Sequence, residues 1–170
     1  MTTLIALLLF ASAQQPSPAT RAGIIAASRE IVSKAHFCTF ITNGPDGHPQ
    51  ARIVDPIVPG TDFVVWFATN PLTRKVAEIK ADPRVTFGCF DAESSSYVTL
   101  QGRATLVSDP KEKSLHWKAD WAPIYPKGSS SMDVVLVQIM PKRLEIVSES
   151  RKLVGDPKTW RPLSIDFPVK

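Results

Sequence analysis

The chain has 170 residues, of which 44% are hydrophobic, so it is long enough for one well-formed core but short for two ordinary domains. Its formal net charge of +4 suits an anionic partner, but the Lys and Arg residues are scattered among Asp and Glu and form no basic tract. Nucleic-acid recognition motifs are also lacking, which favours a small phosphate-bearing molecule over a nucleic acid as the partner.

The N-terminal residues have the pattern of a secretory signal peptide. An apolar run from Leu4 to Ala11 ends in the small-x-small sequence Ala11-Ser12-Ala13, so we predict cleavage after Ala13 and export to the periplasm or beyond. The alternative is a frayed apolar N-terminus on a cytoplasmic protein, because no positive charge precedes the run. About eight apolar residues cannot span a bilayer, so no membrane span is expected. The predicted organisation is a signal peptide (1–13), a leader (14–22) and a single domain (23–170).

The predicted domain opens with a helix and continues mainly in strands. Ile24, Ala27 and Ile31 recur at helical spacing. Runs of β-branched and aromatic residues, separated by turns of Gly, Pro, Asn and Asp, predict strands at 36–42, 50–57, 63–68, 85–90, 97–107, 134–140 and 143–148. The last two strands are expected to form a hairpin that turns at Pro141 and Lys142.

Two shorter helices are predicted between the strands. The first begins at Asn70 and Pro71 and ends before Pro83, and the second covers about residues 110–121. Many strands at short spacing with brief helical inserts favour a mainly β fold. A closed or partly closed antiparallel barrel is therefore expected rather than a doubly wound sheet.

The cysteines and histidines show no metal-binding pattern. Cys38 and Cys89 lie in separate apolar stretches without CxxC spacing, which excludes zinc ribbons and thioredoxin-like motifs. They could pair in an oxidising compartment, but two buried free thiols are the favoured interpretation. His36, His48 and His116 are too far apart for a helical HExxH site, and we predict no metal.

Two adjacent cations, Arg74 and Lys75, lie in the first turns of a predicted helix. The start of a helix carries partial positive charge, so these residues are unfavourable there unless an anion is bound. A phosphate would accept hydrogen bonds from the free amides and from both side chains. The alternative is a pair of solvated cations that form ion pairs with nearby Asp or Glu.

Arg52 adds a third cation within the predicted strand 50–57. Strand alternation places it on the same face as Val54, so its guanidinium needs a partner. The alternatives to a phosphate are solvent, Asp55 and Asp62.

Five segments carry a resemblance to a known family: DGHPQARIV (46–54), VWFATN (65–70), RKV (74–76), DPRV (82–85) and YVTLQGRA (97–104). In type and order they are similar to the N-terminal part of pyridoxamine 5'-phosphate oxidase-like proteins, and the match spans about residues 35–121. No single segment is diagnostic, but five in the same order are jointly specific.

The resemblance implies a Greek-key-like split β-barrel that binds FMN between the two subunits of a homodimer. The three cations would meet the FMN phosphate, and Ile53 and Val54 would line the isoalloxazine ring. Tyr97 falls where the oxidase itself has a glutamine. The positions that correspond to cofactor contacts are Arg52, Ile53, Val54, Thr69, Arg74, Lys75 and Tyr97.

The substrate side departs from the oxidase. Ile57 stands where the oxidase has a substrate-binding lysine, and the C-terminal arginine-histidine segment is absent. The tail at 160–163 instead resembles the general-stress branch of the family, so vitamin B6 oxidation is not expected.

These features predict an FMN-dependent oxidoreductase of unknown substrate, in which the flavin carries the redox chemistry and no catalytic side chain is assigned. Trp117, Trp121 and Trp160 are candidate walls of a substrate pocket. The alternatives are a non-catalytic flavin store or sensor, and a split barrel that binds F420 or haem. Haem would need an axial ligand from a histidine or a cysteine.

Overall fold

A computed structural model describes residues 20–168, so the predicted signal peptide and most of the leader lie outside the described residues. In chain order the elements are α1 (Arg21–Ala35), β1 (Cys38–Asn43), β2 (Pro49–Val54), β3 (Pro56–Ile57), β4 (Val65–Thr69), α2 (Arg74–Ala81), β5 (Arg84–Asp91), β6 (Ser96–Val107), α3 (Pro110–Leu115), a 3-10 turn (Ala119–Trp121), β7 (Val135–Val147) and β8 (Leu163–Asp166). Across this part of the chain, no helix has the length and apolar character needed to cross a membrane.

The strands form one eight-stranded sheet in the order β2-β1-β5-β6-β7-β4-β3, with β8 beside β7. All of its strand pairs are antiparallel. Strands β2 and β3 lie at opposite ends of this order, although only Asp55 separates them in sequence. A sheet whose ends are joined by one residue has to curl until those ends lie side by side. The result is a half-barrel with a split between β2 and β3, which confirms the predicted mainly β split barrel.

Large apolar side chains fill the inside of the half-barrel. Alternation along β1, β5 and β6 buries every second residue, as expected for strands with one face on the core. Helix α1 packs against β5 and β6, and Ile24 and Ile31 on its inner face are buried. The largest fully buried side chains are Trp121, Phe40, Phe63, Phe67, Phe87, Ile31, Leu100, Leu136, Ile139, Leu144, Ile146 and Leu153.

The predicted hairpin at Pro141 and Lys142 is wrong. Strand β7 runs without interruption through both residues and pairs with β6 on either side of them. Its pairing with β6 shifts register at Gly102, which faces Pro141, while Gln101 faces Arg143, so Lys142 is an extra residue without a partner on β6. A bulge of this kind tolerates a proline that cannot donate a ladder hydrogen bond.

The helix boundaries differ from the sequence-based ones in ways that have local causes. Helix α2 begins at Arg74 because Asn70 first forms a turn, in which its side-chain oxygen accepts from the Leu72 amide at 2.8 Å. The predicted helix over 110–121 is a short α3 followed by a 3-10 turn. Strand β8 was not predicted, and it pairs with the second half of β7, whose first half pairs with β4.

Cys38 and Cys89 form a disulfide, so the expectation of two free thiols is wrong. The two residues lie on the neighbouring strands β1 and β5, next to the Thr39 and Gly88 pair. Their separation of 51 residues in the sequence concealed this proximity, since two lone cysteines carry no spacing signal. The bridge links strand β1 covalently to its neighbour β5.

We expect Gly102→Ala to lower the free energy of unfolding by about 1–3 kcal/mol, because a side chain at the bulge has no room. A Cβ at this position would lie 2.4 Å from the Met140 carbonyl oxygen. Gly88→Ala on β5 is the matched control, since its nearest neighbour, Thr99 Cγ2, would be 3.6 Å away. Urea unfolding of both variants measures the difference, and equal midpoints would contradict the steric argument.

Candidate functional site

The candidate site lies where β2, the end of β4 and the start of α2 meet. Arg52 is on the inward face of β2, and Thr69 ends β4 with its side chain buried. Arg74 and Lys75 occupy the first turn of α2. The structure therefore brings together four of the residues that were predicted to contact the cofactor, and we call Arg52, Arg74, Lys75 and their shared neighbour Glu78 the cation cluster.

Glu78 is the centre of the cation cluster. Its side chain is 3% exposed, and Oε2 accepts hydrogen bonds from Arg52 Nη2 and Thr42 Oγ1, each at 2.5 Å. Oε1 lies 2.9 Å from Arg74 Nε as an ion pair that lacks hydrogen-bond geometry. Burial alone would raise the pKa of Glu78, but the hydrogen bonds from Thr42 and Arg52 and the charges of both arginines hold it below its ordinary value.

Arg52 is held inside the barrel mouth by three acceptors. Besides Glu78, its guanidinium donates to Thr42 Oγ1 at 2.5 Å and to the Gln50 carbonyl oxygen at 2.7 Å. It also lies over the Phe40 ring, 5.8 Å from the centroid. The partners considered from the sequence, Asp55 and Asp62, do not bind it, because Glu78 on α2 reaches it instead.

Lys75 differs from the two arginines because its ammonium has no carboxylate partner among the described residues. Its Nζ donates to Thr69 Oγ1 at 2.9 Å, and Thr69 Oγ1 lies 3.3 Å from Thr73 Oγ1. Burial, and then the neighbouring charge of Arg52, lower the pKa of Lys75, while Glu78 opposes them. With three cations and one carboxylate, the cluster carries a net charge of +2. Such a site can hold a dianion.

Ile53, Val54 and Tyr97 are not part of the cation cluster. Val54 is buried on the same face of β2 as Arg52, whereas Ile53 is on the opposite face and is 65% exposed. Tyr97 is on β6, with β1 and β5 between it and β2. Three strand spacings of roughly 4.8 Å each separate it laterally from Ile53 within one chain.

A second set of polar contacts surrounds Asp55, the residue that links β2 to β3. The Asp55 carboxylate accepts from Lys118 Nζ at 2.5 Å and from the indole nitrogen of Trp121 at 2.9 Å. Trp121 is thus a buried structural residue and not a pocket wall, and Trp117 packs edge to face against it. Trp160, the third tryptophan considered as a wall, is 86% exposed.

The sequence-based analysis missed Glu78 and Lys118. Glu78 follows Arg74 by four residues on a predicted helix, a spacing that favours an ion pair and could have identified it. Its contact with Arg52, 26 residues earlier, has no such local signal. Lys118 meets Asp55 across 63 residues and was equally hidden.

The described histidines lie apart from the cation cluster. His116 stacks on Trp66 with ring centroids 3.9 Å apart, and His36 and His48 are exposed at element ends. Across residues 20–168 no group of three or more His, Cys, Asp or Glu side chains is arranged to hold a metal ion.

We expect Glu78→Ala to destabilise the protein by about 3 kcal/mol, because Arg52 is left half-buried without its carboxylate. Glu78→Gln should cost less, since it retains an acceptor for the Thr42 hydroxyl. Because the pKa of Glu78 is lowered in the folded state, its stabilisation is complete above the ordinary glutamate pKa and is lost as the pH falls below it.

Chemical unfolding at several pH values measures this effect. The gap between the parent and Glu78→Gln should narrow as the solution is acidified, and Glu149→Ala, at an exposed position, serves as the control. A gap that stays constant with pH would contradict the role given to the Glu78 charge.

Comparisons with known proteins bear on both the fold and the site. A family model described as pyridoxamine 5'-phosphate oxidase matches residues 24–148. No curated protein matches the sequence significantly.

Three solved structures illustrate the range of similar folds. A protein related to general stress protein 26 of B. subtilis, from Clostridium acetobutylicum, has a TM-score of 0.71 at 17% identity and covers 84% of this chain and 94% of its own. A heme binding protein from Mycobacterium smegmatis has a TM-score of 0.63 at 20% identity, over 90% of this chain and 59% of its own. An F420 reductase has a TM-score of 0.55 at 21% identity, over 68% of this chain and 94% of its own.

At these identities the structural likenesses show the split-barrel fold alone. The family model adds the sequence evidence, since it extends from α1 to the end of β7 and includes every residue of the cation cluster. The chain therefore belongs to the pyridoxamine 5'-phosphate oxidase family.

Proposed function

We propose that the protein binds FMN, with the flavin phosphate at the cation cluster, and acts as an FMN-dependent oxidoreductase on a substrate that is not identified. The observation that carries the proposal is the net charge of +2 at the start of α2, where the Lys75 ammonium has a threonine hydroxyl as its only partner among the described residues. A helix start with two cations in its first turn is favourable only beside an anion.

The residues present fit a phosphate. Lys75 and Thr69 can both donate to a phosphate, since the hydrogen bond between them can be exchanged for bonds to phosphate oxygens. Arg74 is 66% exposed and can turn from Glu78 toward an anion, whereas Arg52 is fixed by three acceptors and contributes chiefly its charge. Ile53 and Val54 continue from Arg52 along β2, where the ring of the flavin would lie.

When bound, the flavin supplies the hydride or electron transfer, and the protein contributes binding, orientation and the exclusion of water. The described residues around the cluster carry out those tasks. Lys75 would balance part of the phosphate charge, and the Phe40 ring below Arg52 keeps water from the inner side of the cluster.

Two other functions remain as alternatives, and both use the same cluster or fold. F420 also carries a phosphate next to a flavin-like ring, and a protein similar in fold is described as an F420 reductase. Haem lacks a phosphate, and the disulfide removes Cys38 and Cys89 as thiolate ligands, which leaves the three histidines. The absorption spectrum of the purified protein distinguishes flavin, F420 and haem. Reduction by NADH or NADPH then separates an enzyme from a flavin store.

Lys75→Ala should weaken FMN binding by roughly tenfold or more, because one charge-assisted hydrogen bond to the phosphate contributes about 1.5–3 kcal/mol. Arg74→Ala should weaken it less, since its guanidinium has to leave Glu78. FMN titration by fluorescence quenching measures both, with Lys80→Ala on the exposed side of the same helix as control. Parent affinity in Lys75→Ala would contradict the phosphate site.

The pH dependence provides an independent control on this assignment. Because burial lowers the pKa of Lys75 in the free protein, FMN affinity should fall as the pH rises through that lowered pKa. Lys75→Arg stays charged, so its affinity should remain constant over the same range. Parallel pH profiles for the two proteins would remove Lys75 from the site.

We further propose a homodimer that forms through the outer face of β1, β2 and β5. Phe37, Ile53 and Phe90 are 57%, 65% and 58% exposed on this face, a cluster that a monomer would leave in water. A second copy docked here would also bring its Tyr97 toward a flavin on β2, which the Tyr97 of the same chain is too distant to contact.

Phe90→Glu should therefore shift the protein toward monomers in analytical ultracentrifugation. FMN should oppose dissociation in the parent, because a ligand shared between subunits favours their association by mass action. Leu115→Glu is the control, since Leu115 is 73% exposed on α3, away from this face. A flavin-loaded parent that sediments as a monomer would refute the shared site.

Export is the last part of the proposal. A disulfide between Cys38 and Cys89 is stable in an oxidising compartment, which supports the signal peptide predicted from the N-terminal residues. Intact-mass measurement of the chain recovered from an exporting bacterial host should give a protein that begins at Gln14. Recovery of the full-length chain from the cytosol would overturn the assignment.

A further inference from the structure

A groove of about 1000 Å³ lies on the side of α2 that faces away from Lys75. Its floor is largely apolar and includes Ile41 on β1, Val85 on β5 and Ala77 on the exposed side of α2. Arg74 and Glu78 of the cation cluster line it, whereas Arg52, Thr69 and Lys75 do not, so it is separate from the Lys75 side of the cluster. We call it the α2 groove.

Four cations surround the α2 groove: Arg74, Arg84, Arg103 and Lys142. Arg84 is paired with Asp82, and Arg74 with Glu78. Arg103 and Lys142 have no carboxylate within ion-pair distance anywhere in residues 20–168. Both side chains are exposed beside the apolar floor, so each is free to pair with an anion that enters the groove.

The β-bulge directs these unpaired charges toward the groove. Lys142 is the extra residue of β7 and is free of the β6 ladder, while Gly102 and Arg103 on β6 face its neighbours Pro141 and Met140. The close approach of the two strands admits only glycine at position 102. The Phe167 amide donates to the Lys142 carbonyl at 2.9 Å and fixes the bulge from the other side. Bulges often re-aim a side chain next to a binding site.

The groove also accounts for residues of two sequence segments that the proposed flavin site does not use. Asp82 and Arg84 belong to the segment 82–85, and Gly102 and Arg103 to the segment 97–104. Both segments end at this groove, although they lie on different strands.

We propose that the α2 groove is a second binding site, for a small organic anion with an apolar body, such as an aryl phosphate or carboxylate. The anionic head pairs with Arg103 and Lys142, and the apolar body packs on Ile41, Val85 and Ala77. The volume accommodates a ligand of one or two rings. The proposal does not depend on flavin binding at Lys75.

The probe for this site is 1-naphthyl phosphate, which combines an apolar ring system with a dianion. Isothermal titration with the full protein should show binding that is at least tenfold weaker in Arg103→Gln/Lys142→Gln and unchanged in the control Lys111→Gln/Lys158→Gln, where both lysines are exposed elsewhere. Neutral 1-naphthol should bind at least tenfold more weakly than the phosphate. Comparison with 1-naphthoate distinguishes a phosphate site from a carboxylate site, and tighter binding of either anion than of 1-naphthol supports the proposal.

Lys75→Ala separates this site from the proposed flavin site. If the probe uses the α2 groove, its affinity is retained in Lys75→Ala even when FMN affinity is lost. Loss of probe binding in Lys75→Ala, with parent affinity in Arg103→Gln/Lys142→Gln, would assign the probe to the cation cluster and overturn the proposal. The proposal would also be overturned if the parent protein did not bind the probe. It would be overturned as well if Arg103→Gln/Lys142→Gln dissociated a parent dimer, because the groove would then be a contact between copies.

Discussion

The buried carboxylate of Glu78 determines how the mouth of the barrel is built. It bonds to Arg52 from β2 and to Thr42 from β1, and it faces Arg74 one turn earlier on α2. A carboxylate removed from water is tolerated only when donors and opposite charges surround it, so α2 is held in one orientation over the strand ends. That orientation directs Lys75 toward Thr69 and Arg74 toward Glu78 and the α2 groove. The proposed flavin site and the α2 groove are therefore two sides of one helix fixed by one ion-pair network.

The fold could be predicted from local patterns wherever those patterns are strong. Period-two alternation and turn residues located most strands, and the spacing of Ile24, Ala27 and Ile31 located α1. Contacts between residues far apart in the sequence could not be predicted in the same way. Pro141 was taken as the turn of a hairpin because proline usually ends a strand, yet β6 accommodates it through a bulge opposite Gly102. The Cys38–Cys89 bridge depends on β1 and β5 being neighbours, which no spacing in the sequence reveals.

The site was predictable in its cations but not in their partners. Arg52, Thr69, Arg74 and Lys75 meet, as expected from the electrostatics of a helix start and from the family resemblance. That both arginines share one buried glutamate follows only from the packing of α2 on β1, which brings Glu78 to Arg52 on β2. This network distinguishes the three cations, because among the described residues Lys75 has no carboxylate within ion-pair distance, whereas both arginines pair with Glu78. Arginines that look equivalent in the sequence thus differ in their freedom to bind a ligand.

The single-residue link at Asp55 limits how the cleft can move. Val54 and Pro56 flank it, and consecutive Cα atoms are about 3.8 Å apart, so two steps keep these Cα atoms within about 7.6 Å and the two edges of the split cannot separate at this end. Lys118 and Trp121 anchor the same residue from a third segment of the chain. Any widening has to occur at the other end of β2, beside the β1–β2 turn and α2. Entry and departure of a ligand would then require motion of that turn and helix. The residence time of the ligand would depend on this local motion and not on the stability of the whole barrel.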